Sequence, residues 1–182
     1  MNRFANTAIK LSCKRDHARF FRDVGAVGDI QASTLKRYLA SNADTVFGKK
    51  YDFRSIRTPS DYQKAVPIAE YEDYQPYLRN QADGSGVTAE RILLFEPTSG
   101  TTAGTRYIPY TKSLKSEFRR AVNTWLYDLY SNYRGLLKGK SYWAISPVNR
   151  EPESAGTDIP IGFDDDSEYL GSTGNLIRSV FA

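Results

Sequence analysis

Eight consecutive residues, Thr98-Ser99-Gly100-Thr101-Thr102-Ala103-Gly104-Thr105, carry no side chain larger than threonine, and Arg106 follows them directly. Residues this small let successive backbone N–H groups converge on one concavity, which suits a phosphate. Five hydroxyl residues (Thr98, Ser99, Thr101, Thr102, Thr105) add neutral donors, and Arg106 adds a fixed positive charge. The same composition also makes an ordinary hairpin connection that needs glycine for its turn. On these residues alone, that plainer role is the stronger one.

Other groupings with chemical potential fail on spacing or context. Gly139-Lys140-Ser141 could end a Walker A loop, but Arg134 stands where the first glycine must be. Gly84-x-Gly86 lacks the third glycine of a dinucleotide fingerprint, and no Gly-x-Ser-x-Gly elbow occurs. Cys13 and His17 sit one helical turn apart, a spacing that can activate a thiolate. Their place on a terminal helix, outside any recognisable pocket, favours packing or surface roles. Asp164-Asp165-Asp166 could meet a divalent cation, but beside Gly162 and Ser167 a solvated loop accounts for it better. No metal site and no catalytic residue is assigned.

The elements that must position the hydroxyl-rich segment follow from periodicity. Residues 3–23 read as a basic helix, and Gly25 and Gly28 break the pattern. Asp29 can cap a second helix running to about Phe47, with Gly48 as its stop. Ser60 and Asp61 open a short helix before Pro67, and Glu70–Leu78 forms another short helix or turn, interrupted at Pro76. Arg91–Glu96 has the length of a buried strand and runs straight into Pro97 and the hydroxyl-rich segment. Arg106–Tyr110 reads as extended again. In Lys112–Tyr133, Leu114, Phe118, Val122, Trp125, Leu126, Leu129 and Tyr133 recur at helical steps, and Gly135 ends the pattern. Ser141–Ser146 reads as a strand and Leu176–Phe181 as a last apolar turn. Strands separated by helices imply a mixed α/β body, with a helical region 1–66 and an α/β part 67–182 bearing the segment 98–106.

With 182 residues, 40% of them hydrophobic, the chain can bury about 70% of its unfolded surface and build a real core. One cysteine excludes an internal disulfide framework, and one histidine removes the paired-histidine metal motifs. No apolar run approaches membrane-spanning length, and Asp16 and Asp23 argue against an organelle transit peptide. A cytoplasmic setting is expected. Residues 1–66 carry 13 Lys/Arg and 6 Asp, the remainder 12 Lys/Arg and 15 Asp/Glu. The basic third could meet nucleic acid or an anionic membrane, but its cations never run longer than two residues. A solvated helical surface accounts for it better, so neither partner is expected.

The segment Glu96–Thr111 (EPTSGTTAGTRYIPYT) resembles the first phosphate-binding motif of the adenylate-forming enzymes, the superfamily of firefly luciferase and acyl-CoA synthetases. With its Ile-Pro-Tyr-Thr tail it is most similar to the auxin-responsive acyl acid–amido synthetases and their bacterial branch. Four further stretches resemble that family in order: Leu39–Thr45 (LASNADT); Val66-Pro67-Ile68 with Tyr71-Glu72-Asp73-Tyr74 and Pro76-Tyr77; Ala121–Leu126 with Tyr142–Pro147; and Ile159–Gly171. Together with the loop they cover about residues 30–175.

The resemblance implies an ATP-dependent acid–amino acid ligase, forming an acyl-adenylate and then passing the acyl group to an amino acid. It implies that Thr98, Ser99, Gly100, Thr101, Thr102, Ala103, Gly104, Thr105 and Arg106 hold the phosphates, with Mg2+ accompanying ATP. Arg106 stands where many superfamily members carry Lys, which keeps the charge and changes its reach. The implied fold is the N-terminal part of the large domain of an adenylate-forming enzyme. The chain ends at Ala182 without the nucleotide motifs or the lysine-bearing C-terminal domain, so this piece alone is expected to be inactive. The implied partners are a small carboxylic acid and an amino acid. The alternatives are an acyl- or aryl-CoA ligase fragment, which shares the loop, or a non-catalytic nucleotide-binding remnant or interaction module.

Overall fold

A computed structural model of the chain describes residues 2–79, 86–98, 106–140 and 159–162. These are mostly helical: α1 (Asn2–Asp23), α2 (Val27–Ser41), α3 (Val46–Lys50), α4 (Pro59–Ala65), α5 (Tyr71–Arg79) and α6 (Lys112–Asn132). Two strands, β1 (Ile92–Pro97) and β2 (Tyr107–Thr111), pair antiparallel. Among the described residues the expected mixed content of helix and strand is present, mostly as helix with one small antiparallel ribbon, in which the consecutive strands β1 and β2 pair with each other. The expected strand Ser141–Ser146, the acidic triplet Asp164–Asp166 and the turn Leu176–Phe181 lie outside the described residues. No helix among the described residues is long and apolar enough to cross a membrane.

The chain divides into two compact units, one of Met1–Gly25, Ser113–Arg150 and Ile161–Ala182, the other of Ala26–Lys112 and Glu151–Pro160. In the first, α1 presents Ile9 and Cys13 at a four-residue step to Leu126 and Tyr130 of α6, and all four are buried. The fully buried Asn6 amide donates to the carbonyls of Leu136, Leu137 and Gly139 at 3.0–3.3 Å, holding the 3-10 turn Arg134–Lys138 that follows α6. Gly135 lies inside that turn rather than ending the helix.

In the second unit, Leu39, Ala43, Phe47, Phe53, Ile56 and Val66 form one core, and Leu78, Ile92 and Phe95 form another; Val87 packs on both. The single helix expected from Asp29 to Phe47 is two helices. α2 begins at Val27, with Gly28 inside it, and ends at Ser41; Thr45 then caps α3 by accepting the Gly48 N–H at 2.9 Å. Gly48 is buried within α3, where a Cβ would run into the carbonyl oxygen of Asn42. Asn42 itself accepts the Ala89 N–H at 2.9 Å and donates to the Tyr38 carbonyl, while Arg54 grips Asp44 with two bonds of 2.7 and 2.8 Å. The Ser-Asn-Ala-Asp-Thr stretch is thus a corner that ties α2, α3 and the 86–90 segment together.

α4 opens with a complete capping box between Thr58 and Asp61. α5 runs unbroken through Pro76, against the expected interruption. Tyr74 and Tyr77 on either side pack their rings 5.6 and 5.2 Å from that of Phe47, and this packing outweighs one missing N–H.

Candidate functional site

The apolar run of β1 and the Tyr-Ile-Pro-Tyr-Thr of β2 pair in register from Leu94↔Tyr110 to Pro97↔Tyr107, with a bulge between Ile92 and Leu94. Beyond the last pair, the Thr98 N–H donates to the Arg106 carbonyl at 2.8 Å. Antiparallel ladders alternate hydrogen-bonded and non-bonded pairs. Thr98–Arg106 being bonded makes Pro97–Tyr107 and Phe95–Pro109 non-bonded pairs. Both prolines therefore sit where a strand loses nothing to its partner by lacking an N–H. The outward Phe95 N–H finds the Pro160 carbonyl at 2.8 Å instead.

Residues 99–105 are thereby the connection of a hairpin whose stem closes at Thr98 and Arg106. Of the nine residues expected to hold phosphate, those two are described and half-buried at the two feet. Ser99, Gly100, Thr101, Thr102, Ala103, Gly104 and Thr105 lie outside the described residues.

Three further side chains gather at this stem. Tyr71, the first residue of α5, accepts the Tyr107 N–H at 2.8 Å and donates its hydroxyl to the Tyr107 carbonyl at 3.3 Å. Its ring lies 5.8 Å from the Arg106 guanidinium. Glu96, in β1, has a buried Oε2 with no hydrogen-bond partner. The phenol of Tyr110, in β2, is pushed up by its burial and then by the negative charge of Glu96. The hydroxyl-rich segment by itself does not point to Tyr71 or Glu96. The available signals were Tyr71-Glu72-Asp73-Tyr74, which stands among the family-like stretches, and a carboxylate in an otherwise apolar strand.

Other candidates resolve differently. Cys13 is fully buried, its thiol is pushed up by burial, and its Sγ donates to Asn123 Oδ1 at 3.5 Å. His17 packs against Phe21 and Tyr127, at 4.5 Å from each ring. A raised thiol is the opposite of an activated one, so this pair is structural. On α6, Tyr130 is core, whereas Trp125, one of the periodic apolar positions, is exposed. A groove of about 250 Å3 lies elsewhere in the second unit, lined by Phe47, Lys50, Tyr51, Tyr74 and Tyr77 among others; no stem residue lines it. Among the described residues no group of three His, Cys, Asp or Glu could hold a metal ion.

Residues 17–173 match the GH3 family N-terminal domain. The chain is 29% identical over 152 residues to the probable indole-3-acetic acid-amido synthetase GH3.1 of Arabidopsis thaliana, covering 80% of this chain and 26% of that protein. It is 31% identical over 101 residues to the jasmonoyl–L-amino acid synthetase JAR6 of Nicotiana attenuata, covering 53% of this chain and 17% of that one. The chain thus spans about a quarter of the first relative and less of the second. The match takes in the hairpin, both its feet and Tyr71, and with most of its length inside that domain the chain belongs to the GH3 family.

Proposed function

We propose that this chain is part of an ATP-dependent acid–amino acid ligase in which the connection from Thr98 to Arg106 holds the β- and γ-phosphates of ATP. The observation that carries the reading is the closed stem, with the Thr98 N–H on the Arg106 carbonyl at 2.8 Å. It anchors seven small residues between neighbouring backbone positions and sets a guanidinium at their foot. The names of the relatives support it: one is a probable indole-3-acetic acid-amido synthetase, the other a jasmonoyl–L-amino acid synthetase. The finer resemblance, to the bacterial branch within the adenylate-forming superfamily, rests on the ordered family-like stretches, and a cytoplasmic setting belongs to the same reading.

A carboxylate is a poor electrophile, so amide formation needs it activated. A carboxylate oxygen attacks the α-phosphorus of ATP and pyrophosphate leaves, giving an acyl-adenylate. The amine of the amino acid then attacks the acyl carbon, loses a proton, and AMP departs. Arg106 and the loop donors stabilise the charge on the departing pyrophosphate, work that depends on positioning. Mg2+ suits the residues present, because it takes one or two protein carboxylates and fills its shell with phosphates and water. Glu96, with a buried and unpartnered carboxylate oxygen beside the loop, would hold it. The ion would neutralise phosphate charge there.

Carboxylate-dependent exchange of pyrophosphate into ATP by the intact protein tests the reading. Gly100→Val is expected to lower exchange by about 10²–10³-fold. Unchanged exchange overturns the assignment of the loop, and AMP release with CoA but not with amino acids reassigns the acceptor.

A further inference from the structure

We infer that Tyr71 is a positioning residue that holds the outgoing foot of the phosphate loop and orients Arg106, an inference that rests on the phosphate-binding reading above. Tyr107 occupies a non-bonded position of the ribbon, so its N–H and C=O point away from β1. Left alone, these are the edge groups that water or another strand must satisfy. Tyr71 Oη takes both, accepting the N–H at 2.8 Å and donating to the C=O at 3.3 Å. One phenol from a helix thus does, at two points, what a neighbouring strand would do.

The pinned residue immediately follows Arg106, so pinning it fixes the Cα from which that guanidinium extends. The same Tyr71 ring then receives the guanidinium at 5.8 Å, an attraction between a cation and the negative face of the ring. The ring is itself anchored, being packed against the buried cluster of Leu78, Ile92 and Phe95. Tyr107 packs on that cluster too, its ring 6.3 Å from that of Phe95. Hydroxyl and ring therefore act on adjacent residues of one loop foot from one rigid support. A phosphate arriving at the loop meets a charge already in place, and the ordering cost is met in the free protein.

Packing alone predicts something different. Tyr71→Phe keeps the ring, its burial and its stacking on Arg106, and removes only the hydroxyl. Calorimetric binding of inorganic tripolyphosphate to the intact protein, with adenosine as a control, is the first readout. Tyr71→Phe is expected to weaken tripolyphosphate about tenfold, in line with losing two net hydrogen bonds, while adenosine affinity stays put. In an Arg106→Gln background the same change should add little, because the group being oriented is gone. The second readout needs no phosphate: the Arg106 Nε–H resonance in nitrogen-edited NMR should move in Tyr71→Phe. Unaltered tripolyphosphate affinity in Tyr71→Phe overturns the inference. So does an equal loss with and without Arg106, which marks a purely structural role. If wild type and Gly100→Val fail alike to bind tripolyphosphate, the phosphate reading falls, and the role of Tyr71 at the loop with it. A shifted Arg106 resonance in that case shows that the reading failed and the orienting contact did not.

Discussion

Gly48 and Gly28 show how little residue type says without surroundings. Both lie inside helices, yet a Cβ on Gly48 meets the Asn42 carbonyl while one on Gly28 meets open space. Gly48→Ala is expected to cost about 1–3 kcal/mol through forced displacement of backbone. Gly28→Ala is expected to add about 0.5–1 kcal/mol by removing chain entropy and raising helix propensity. Denaturant midpoints of the two variants check both signs. Cys13 makes a second test at this scale. Its thiol is fully buried, hydrogen-bonded to Asn123 and pushed up by desolvation. Iodoacetamide at mildly alkaline pH should leave it unmodified in the folded protein and alkylate it fully in denaturant. The folded thiol is raised, so its contribution is present below the ordinary thiol value and is lost as pH rises through the folded one. Rapid alkylation of the native protein would show an accessible thiolate instead.

Among the elements, α4 is the one whose start is most completely specified. Thr58 Oγ1 accepts the Asp61 N–H at 3.1 Å, and Asp61 Oδ2 accepts the N–H groups of Thr58 and Arg57 at 2.9 and 3.1 Å. Thr58→Ala should cost about 1 kcal/mol, read from a thermal or denaturant transition. The Thr58 side chain first, and then the N–H groups of Arg57 and Thr58, hold the Asp61 carboxyl below the usual carboxylate range. A depressed folded value means the contribution is intact above the ordinary aspartate value and disappears as pH falls through the folded one. An NMR titration of Asp61 should place its midpoint below that of an unstructured aspartate, and a normal midpoint would remove the capping box. A short helix was legible from Ser60 and Asp61 before Pro67, but its cap at Thr58 was not. The α2–α3 corner was not, because Gly48 looks like a stop until Asn42 and Thr45 are seen folding against it. Pro76 misled for a related reason: its backbone penalty is local, whereas the rings of Tyr74 and Tyr77 that offset it find Phe47 some thirty residues away.

At the scale of the whole molecule, the expectation that the basic first third meets no nucleic acid can be put to a direct test. The cations of residues 1–66 are split between the two compact units rather than gathered on one. Arg19 and Arg22 lie beside Asp23, Arg54 beside Asp44, and Lys10 and Lys50 against tyrosine rings. Duplex DNA at low salt should therefore give no mobility shift with the intact protein, and a steeply salt-dependent complex would restore the nucleic-acid reading. What the sequence by itself determined is the set of local features: the long helices α1 and α6, the strand-loop-strand order around Thr98–Arg106, and the ordered stretches that mark the GH3 family. These depend on periodicity and on small residues at fixed spacing, which are properties of neighbours in the chain. Only the tertiary structure decided that Tyr71 reaches Tyr107, that Glu96 keeps a buried oxygen unpartnered, and that Cys13 is core. Those facts depend on which unpaired backbone groups and desolvated side chains meet once segments tens of residues apart have packed, and no spacing along the chain encodes that.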